Sequence, residues 1–120
     1  MIKGIGLDIV ELERVEKLMR HTQRFQQRIL SEREQDLFNT LSPSRQIEFV
    51  AGRFAAKEAF SKALGTGIGK DCSFQQIEIL KNDAGAPVLW FNKKELSSLV
   101  TITHTRTVAA AQVVLLKGDI

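Results

Sequence analysis

The sequence is poor in several residue types, and each shortage disfavours a class of protein. With one cysteine, Cys72, the chain cannot form an intrachain disulfide. The longest apolar run, Val108 to Leu116, is interrupted by Gln112 and is much shorter than the ~20 residues of a membrane-spanning helix. Tyrosine is absent and other aromatic residues are few, which disfavours a nucleic-acid module that stacks bases on aromatic rings.

What is present is typical of one small globular domain, residues 1–120. Hydrophobic residues make up 43% of the chain and charged residues 26%, and no long block of like charge indicates disorder. The first residues contain no basic leader followed by an apolar stretch, which favours a cytoplasmic protein. The net charge of +3 permits anionic partners such as nucleotides, nucleic acid or an acidic protein, without choosing among them.

The first third of the chain predicts a strand followed by three helices. Apolar residues alternate along Ile5 to Val10, which places two glycines and Asp8 on one face of a strand. Ser31 and Glu34 have the spacing of a capping box at the start of the third helix. The predicted helices span Glu11–Arg20, Thr22–Leu30 and Ser31–Asn39.

One long helix forms the centre of the predicted fold. Ser42 and Pro43 are a typical helix start, no proline interrupts the following residues to Leu64, and Gly65 is a natural stop. Four strands are predicted after it, over Phe74–Leu80, Pro87–Phe91, Leu99–Thr105 and Val108–Leu116. This order predicts an α+β fold in which the long helix packs on an antiparallel sheet.

Glu58, Ser61 and Lys62 share one face of the long helix because they are three and four residues apart. The plain interpretation is an exposed Glu–Lys pair that stabilises the helix slightly. Their neighbours, however, are small or apolar and indicate a helix buried on much of its circumference, where a charge is costly without a partner. These neighbours are Phe54, Ala55, Ala56, Ala59, Phe60 and Ala63.

Asp8 has two interpretations. Asp8 and Glu11 have the capping-box spacing, so Asp8 would cap the following helix. Alternatively, Gly4 and Gly6 leave room for a ligand to approach the backbone beside the Asp8 carboxylate.

A magnesium site is the chemistry that the second interpretation favours. Magnesium at a phosphate-transfer site takes one or two carboxylates and completes its octahedron with phosphates and water. Asp8 and Glu58 would supply these carboxylates, and Lys62 would neutralise a phosphate oxygen beside the metal. The loop from Gly65 to Gly69 would bring backbone N–H groups, or simple clearance, to an anion.

Two segments resemble the paired signature of the phosphopantetheinyl transferases. They are Gly6-Leu7-Asp8 and, some fifty residues later, Phe54-Ala55-Ala56-Lys57-Glu58-Ala59-Phe60-Ser61-Lys62. The similarity covers essentially the whole chain, including Thr103-His104-Thr105, and is to the short bacterial holo-acyl-carrier-protein synthases in particular. Two motifs at the right separation are specific, whereas either motif alone would not be.

The resemblance implies a 4′-phosphopantetheinyl transferase-like fold and a Mg²⁺-dependent reaction. Such an enzyme transfers the 4′-phosphopantetheine group of coenzyme A to a serine of apo acyl carrier protein, releases adenosine 3′,5′-bisphosphate, and supports fatty acid biosynthesis. Asp8 and Glu58 would bind the metal, and Lys62 would stabilise the leaving diphosphate. Either Glu58 or a metal-bound water would take the serine proton. The short enzymes are homotrimers with sites between subunits, which implies the same here.

Further site residues are implied by the same resemblance. Contacts to coenzyme A are expected from Arg45, Arg53, Ser61, Lys62, Gly65 and His104. Without the resemblance, the two arginines would be interpreted as solvated helix charges. A basic surface for the acidic carrier protein is expected at Arg14, Arg24, Phe25 and Arg28. Neither a nucleic acid nor a membrane is expected as a partner. The competing interpretations are a nucleic-acid module that uses the basic surface and a non-catalytic subunit that keeps the fold.

Overall fold

The structure, a computed structural model, describes residues 1–118 of the chain. The helices are α1 (Leu12–His21), α2 (Arg24–Ile29), α3 (Glu32–Phe38) and α4 (Pro43–Leu64). A 3₁₀ turn spans Phe74–Gln76. The strands are β1 (Ile2–Glu11), β2 (Ile77–Lys81), β3 (Pro87–Phe91), β4 (Lys94–Glu95), β5 (Ser98–His104) and β6 (Val108–Leu116). Across this part of the chain, no helix is long and apolar enough to cross a membrane.

Helix α4 has the boundaries that the sequence predicts. Pro43 occupies its first turn, and Gly65 ends it with a φ of +95°, a left-handed conformation that glycine adopts without a Cβ clash. The Gly65 N–H donates to the carbonyl oxygens of Ser61 and Lys62. Most residues between positions 50 and 61 are buried, because strands and helices pack around the middle of α4.

Within residues 1–118, two antiparallel sheets of three strands each take the place of the single sheet that the sequence predicts. The first has the strand order β1-β6-β5 and packs on α4, and the second has the order β2-β3-β4. The α+β class, with a long helix against an antiparallel sheet, is confirmed. Strand β4 is missed because two residues, Lys94 and Glu95, are too short to show an alternating pattern.

Local hydrogen bonds decide how two elements begin. Ser31 and Glu34 form the predicted capping box, in which the Ser31 N–H donates to the Glu34 carboxylate at 2.9 Å. Phe74 to Gln76 form the 3₁₀ turn instead of the start of a strand, because Ser73 and Gln76 form a second capping box. There the Ser73 N–H donates to Gln76 Oε1 at 2.8 Å.

Asp8 lies inside β1 and does not cap α1. It pairs with Ala111 in the ladder between β1 and β6. The residue before α1 is Glu11, which makes no side-chain capping bond. The capping interpretation of Asp8 is therefore wrong, because the strand continues to Glu11 and holds Asp8 in an extended conformation.

Gly4 and Gly6 allow β1 to lie directly on α4. A Cβ atom at Gly6 would be 1.8 Å from the carbonyl oxygen of Ala59, and one at Gly4 would be 2.0 Å from that of Ala63. The interpretation that these glycines make room for a ligand is therefore wrong, because the helix backbone fills the space. Their effect is to bring the face of β1 that carries Asp8 against the helix.

The opposite face of β1 is apolar and exposed. Ile5, Leu7 and Ile9 alternate along it and are 59%, 63% and 65% exposed, and Leu99 of β5, in the same sheet, is 61% exposed. Contiguous apolar surface of this kind marks an interaction site in a globular protein. The sheet therefore has one face covered by α4 and one face available to a partner.

We expect Gly6→Ala to lower the free energy of unfolding by about 3 kcal/mol, because the new methyl group must displace helix backbone. Gly69→Ala is the matched control, since a Cβ atom there meets nothing within 4 Å. The control should change the free energy of unfolding by less than about 0.5 kcal/mol. Urea denaturation measures both variants, and equal stability of the two would contradict the close contact.

Candidate active site

Asp8 and Lys62 form an ion pair where β1 meets α4. Lys62 Nζ lies 3.0 Å from Asp8 Oδ1 and also donates to the Leu7 carbonyl oxygen at 3.1 Å. The Asp8 side chain is 15% exposed and the Lys62 side chain is 51% exposed. The ammonium group therefore reaches the surface, where it can exchange its partners for a ligand without disturbing the core.

Glu58 lies one helical turn before Lys62 and faces the same charges. Its partial burial and the negative charge of Asp8 raise the pKa of the Glu58 carboxyl group. The positive charges of Lys62 and Arg14 offset part of this rise. The structure thus brings together the three residues that the sequence predicts as catalytic, with two carboxylates close enough to repel each other.

The donor set fits a magnesium ion. Carboxylate oxygens are hard ligands, and magnesium at a phosphate-transfer site needs only one or two of them. Asp8 and Glu58 provide two, and a cation between them would neutralise their repulsion, which adds to the effect of burial on the pKa of Glu58. Among the residues that the structure describes, three or more His, Cys, Asp or Glu side chains nowhere gather into a larger ligand set. The pair therefore matches a site completed by phosphates and water.

The glycine loop after α4 has fewer backbone N–H groups available to bind an anion than the sequence predicts. The N–H groups of Gly65, Thr66 and Gly67 all donate to the Ser61 carbonyl oxygen, so these three do not bind an anion. The Ser61 side chain is buried, and its hydroxyl donates to the Glu58 carbonyl oxygen at 2.7 Å. Clearance remains, since a Cβ atom at Gly65 would meet nothing within 4 Å. Contacts of Ser61 and Gly65 to coenzyme A stay predictions.

Arg53 is buried, so its interpretation as a solvated helix charge is wrong. The residue is 8% exposed, and its Nη2 donates to the Ile79 carbonyl oxygen at 3.0 Å. The guanidinium lies over the Phe49 ring, 4.0 Å from its centroid. Burial lowers the pKa of Arg53, and the charge of Glu34 offsets part of this effect. Its contact with a nucleotide phosphate stays a prediction.

Arg45 and His104 lie away from the carboxylate pair. Arg45 is exposed near the start of α4, about 20 Å along the helix axis from Glu58. His104 ends β5, and its Nδ1 is 3.9 Å from a carboxylate oxygen of Glu48 in the first half of α4. A single chain therefore does not gather these residues around Asp8 and Glu58.

The predicted carrier-docking surface extends from the carboxylate pair along α1 and α2. Arg14 of α1 is close enough for its charge to lower the pKa of Glu58. Arg24 and Arg28 are exposed on α2. Arg14 thus lies near Glu58, and Arg24 and Arg28 add exposed positive charge on α2, a distribution that fits an acidic partner.

An aromatic cluster adjoins this surface. The Phe25 and Phe74 rings lie 6.3 Å and 5.5 Å from the Phe54 ring, measured between centroids. Phe54 is one turn before Glu58 on α4, so both share a helix face. The sequence marks Phe54 only as part of a motif, and Phe74 as strand. Their contact joins distant segments, which no local pattern reports.

The sequence predicts a structural or phosphate-facing role for Lys57, but not that it is buried and paired with a buried Glu34. Lys57 and Glu34 are both fully buried and form an ion pair of 2.5 Å. The capping box signals the position of Glu34 but not its burial. The small and apolar residues around Lys57 are the signal that its charge needs a partner, although they do not name that partner.

Comparison with known proteins gives the family. Residues 4–114 match the 4′-phosphopantetheinyl transferase superfamily. A holo-[acyl-carrier-protein] synthase of Geobacillus sp. (strain WCH70) is 54% identical over 115 residues, which are 96% of this chain and 97% of that protein. The synthase of Bacillus velezensis is 59% identical over 116 residues, 96% of each chain.

Solved structures agree with the sequence relatives. The synthase of Bacillus anthracis, crystallised in complex with CoA (3′,5′-ADP), has a TM-score of 0.86 and 51% identity over 96% of both chains. The synthase of Neisseria meningitidis has a TM-score of 0.87 and 33% identity, covering 98% of this chain and 100% of that one.

The chain therefore belongs to the 4′-phosphopantetheinyl transferase superfamily, a family of enzymes. Within it, the chain is similar along nearly its whole length to the holo-[acyl-carrier-protein] synthases. The family, the fold class and the enzyme class predicted from the sequence are confirmed.

In metal-free protein, we expect Glu58→Gln to raise the unfolding temperature at pH 8 and not at pH 4. The folded-state pKa of Glu58 is raised, so its ionisation destabilises the fold. This cost is absent below the unfolded pKa of about 4.3 and develops as the pH rises through the folded pKa. A glutamine at position 58 stays neutral at every pH and therefore does not carry this cost of ionisation. Thermal unfolding in the presence of a chelator is the measurement, and a lower unfolding temperature at pH 8 would contradict the repulsion.

Proposed function

We propose that this chain transfers the 4′-phosphopantetheine group of coenzyme A to a serine of apo acyl carrier protein, releasing adenosine 3′,5′-bisphosphate. The observation that carries this proposal is the cluster of Asp8, Glu58 and Lys62 at the contact of β1 with α4. The relatives are named as synthases of this kind, and the Bacillus anthracis one binds CoA (3′,5′-ADP). We further propose that the enzyme acts in the cytoplasm and supports fatty acid biosynthesis.

The side chains of the site suit a phosphoryl-type transfer. Such catalysis is mostly positioning and neutralisation of developing charge. Lys62 is anchored at one end and exposed at its ammonium group, so it can leave Asp8 for an oxygen of the leaving diphosphate. The attacking serine hydroxyl must lose a proton, and the Glu58 carboxylate would accept it. The raised pKa of Glu58 belongs to the metal-free protein, since a bound cation would remove the repulsion from Asp8.

We propose Mg²⁺ as the cofactor, held by the carboxylates of Asp8 and Glu58. The ion would neutralise the diphosphate of coenzyme A when bound. The two carboxylates leave most of an octahedral coordination sphere for phosphate oxygens and water. Lys62 would then be free of Asp8, because the metal replaces it as the positive charge beside that carboxylate.

We propose that the protein is a homotrimer with its sites between subunits. The exposed apolar face of Ile5, Leu7, Ile9 and Leu99 supports a contact with further copies of the chain. An assembly would also bring residues such as Arg45 and His104 of one copy towards the carboxylate pair of another. This would account for their distance from that pair within one chain.

We propose that the acyl carrier protein docks on α1 and α2. Arg14, Arg24 and Arg28 present positive charge beside the site, and Phe25 adds an apolar contact at the aromatic cluster. Electrostatic complementarity of this kind mainly raises the association rate and the specificity for an acidic partner.

Intact-protein mass spectrometry tests the reaction. Apo acyl carrier protein incubated with coenzyme A, magnesium and this protein should gain the mass of one phosphopantetheine group. The gain should disappear with a chelator and with Glu58→Gln, which removes one metal ligand. Glu95→Gln is the control, because Glu95 is exposed on β4, which carries none of the proposed site residues. A gain that persists with the chelator would refute the metal, and no gain at all would refute the reaction.

For the oligomer, we expect Leu7→Asp to convert a trimer into monomers, because it places a charge in the centre of the exposed apolar face. Leu37→Asp is the control, since Leu37 is 40% exposed but lies on α3, outside the exposed apolar face of β1 and β5. Sedimentation velocity measures the assembly state. A wild-type protein that sediments as a monomer at micromolar concentration would overturn the proposal.

For carrier docking, we expect Arg24→Glu to raise the KM for the carrier protein several-fold at low salt, with an unchanged KM for coenzyme A. Lys94→Glu changes the net charge equally but lies on the exposed β4, and it should change neither constant. Steady-state kinetics at two ionic strengths measures both. Equal effects of Arg24→Glu on the two substrates would argue against docking at α2.

A further inference from the structure

The ammonium group of Lys57 uses all of its hydrogen-bonding capacity inside the protein. It has three N–H donors, and three acceptors surround it. Nζ donates to the Glu34 carboxylate at 2.5 Å and to the carbonyl oxygens of Ile29 at 2.7 Å and Phe74 at 3.0 Å. The side chain is fully buried, so no water competes for these bonds.

Two of these acceptors belong to the two segments that form the walls of one surface groove. The α2 segment contributes Arg24, Gln27 and Arg28, and the segment of the 3₁₀ turn contributes Ser73, Phe74 and Gln75. Phe74 lines the groove itself, whereas Ile29 is the buried last residue of α2. Lys57 thus bonds to both of these segments.

Gln75 links the same walls from the surface. Its side-chain amide donates to the carbonyl oxygens of Gln27, on α2, and Leu30, just after it. The groove is therefore held by one buried and one exposed polar link, and both end on backbone carbonyl groups of the α2 segment.

The third partner of Lys57 is Glu34, which is itself held in place by two backbone N–H groups. Its carboxylate accepts the Ser31 N–H and the Ile79 N–H, each at 2.9 Å. The ammonium group is therefore held against the start of α3 and the backbone of β2, and cannot move independently of either.

We propose that Lys57 is a positioning residue, which sets α2 and the Phe74 turn relative to Glu58. Lys57 and Glu58 are adjacent on α4, so a shift of the Lys57 anchor changes the position of the docking helix relative to the carboxylate pair. The proposal is based on the proposed function, because α2 carries the predicted carrier contacts Arg24 and Phe25.

A role in stability alone does not require this arrangement. Replacing a buried ion pair by uncharged residues of similar volume is often neutral or stabilising. The hydrogen bonds of Lys57 to the Ile29 and Phe74 carbonyl groups fix the direction and distance of two backbone segments. An apolar side chain of similar volume makes no such directional bonds.

The test uses the double variant Glu34→Gln/Lys57→Met, in the transfer assay with apo acyl carrier protein and coenzyme A. The variant removes the Lys57–Glu34 ion pair as a unit, and the nearby buried Arg53 keeps its bond to the Ile79 carbonyl oxygen. We expect at least a tenfold rise in the KM for the carrier protein, a lower kcat and an unchanged KM for coenzyme A. Gln75→Ala cuts the exposed link without burying a charge. It should raise the same KM several-fold, and it preserves the test if the double variant does not fold.

Leu115→Ala is the matched control for lost stability. Leu115 is buried on β6, in the sheet with β1 and β5, and belongs neither to the groove walls nor to the contacts of Glu34. It should lower the unfolding temperature and leave both KM values unchanged.

An unchanged carrier KM in folded double variant and in Gln75→Ala would overturn the positioning role. So would carrier effects that follow the unfolding temperature in all variants, including Leu115→Ala. The wild-type enzyme in the same assay separates this failure from failure of the proposed function, since only the latter removes its activity. As a readout besides activity, amide hydrogen exchange in α2 should accelerate in Gln75→Ala, while exchange in α1 stays as in the wild type.

Discussion

The backbone of β1 lies against the backbone of α4 because two residues without Cβ atoms, Gly4 and Gly6, face two helix carbonyl groups. This contact sets the distance between Asp8 on the strand and Glu58 on the helix. Partial burial and the nearby negative charge of Asp8 together raise the pKa of Glu58, so the two carboxylates repel each other in the metal-free protein. The fold therefore places two negative charges close together near the surface. The half-exposed Lys62 is a positive charge that the chain itself provides beside them.

A second set of contacts lies on another face of the same helix. Glu58 faces Asp8, whereas the preceding Lys57 is buried and reaches the end of α2, the Phe74 turn and Glu34. One helix thus carries the predicted metal ligand on its surface and the anchor of the neighbouring segments inside. The long buried α4 is suited to this because its position is fixed by packing on nearly every side.

The sequence predicts best what local chemistry decides. The limits of α4 follow from Pro43 and Gly65, and the capping box at Ser31 is present because its bonds lie within one turn. The motif also identifies the residues that come together at the site. What the sequence misses depends on contacts between distant segments: the helix filling the space beside Gly6, and the burial of Arg53 under β2. No pattern within a short window reports such contacts.

The most direct measurement is a crystal structure with coenzyme A and Mn²⁺ in place of Mg²⁺, with the metal located by its anomalous scattering. We expect one peak that coordinates both the Asp8 and the Glu58 carboxylates and an oxygen of the diphosphate, with Lys62 turned from Asp8 towards the phosphates. A metal bound to the diphosphate but to neither carboxylate, or a Lys62 that keeps its bond to Asp8, would contradict the role of the contact between β1 and α4 in building the site.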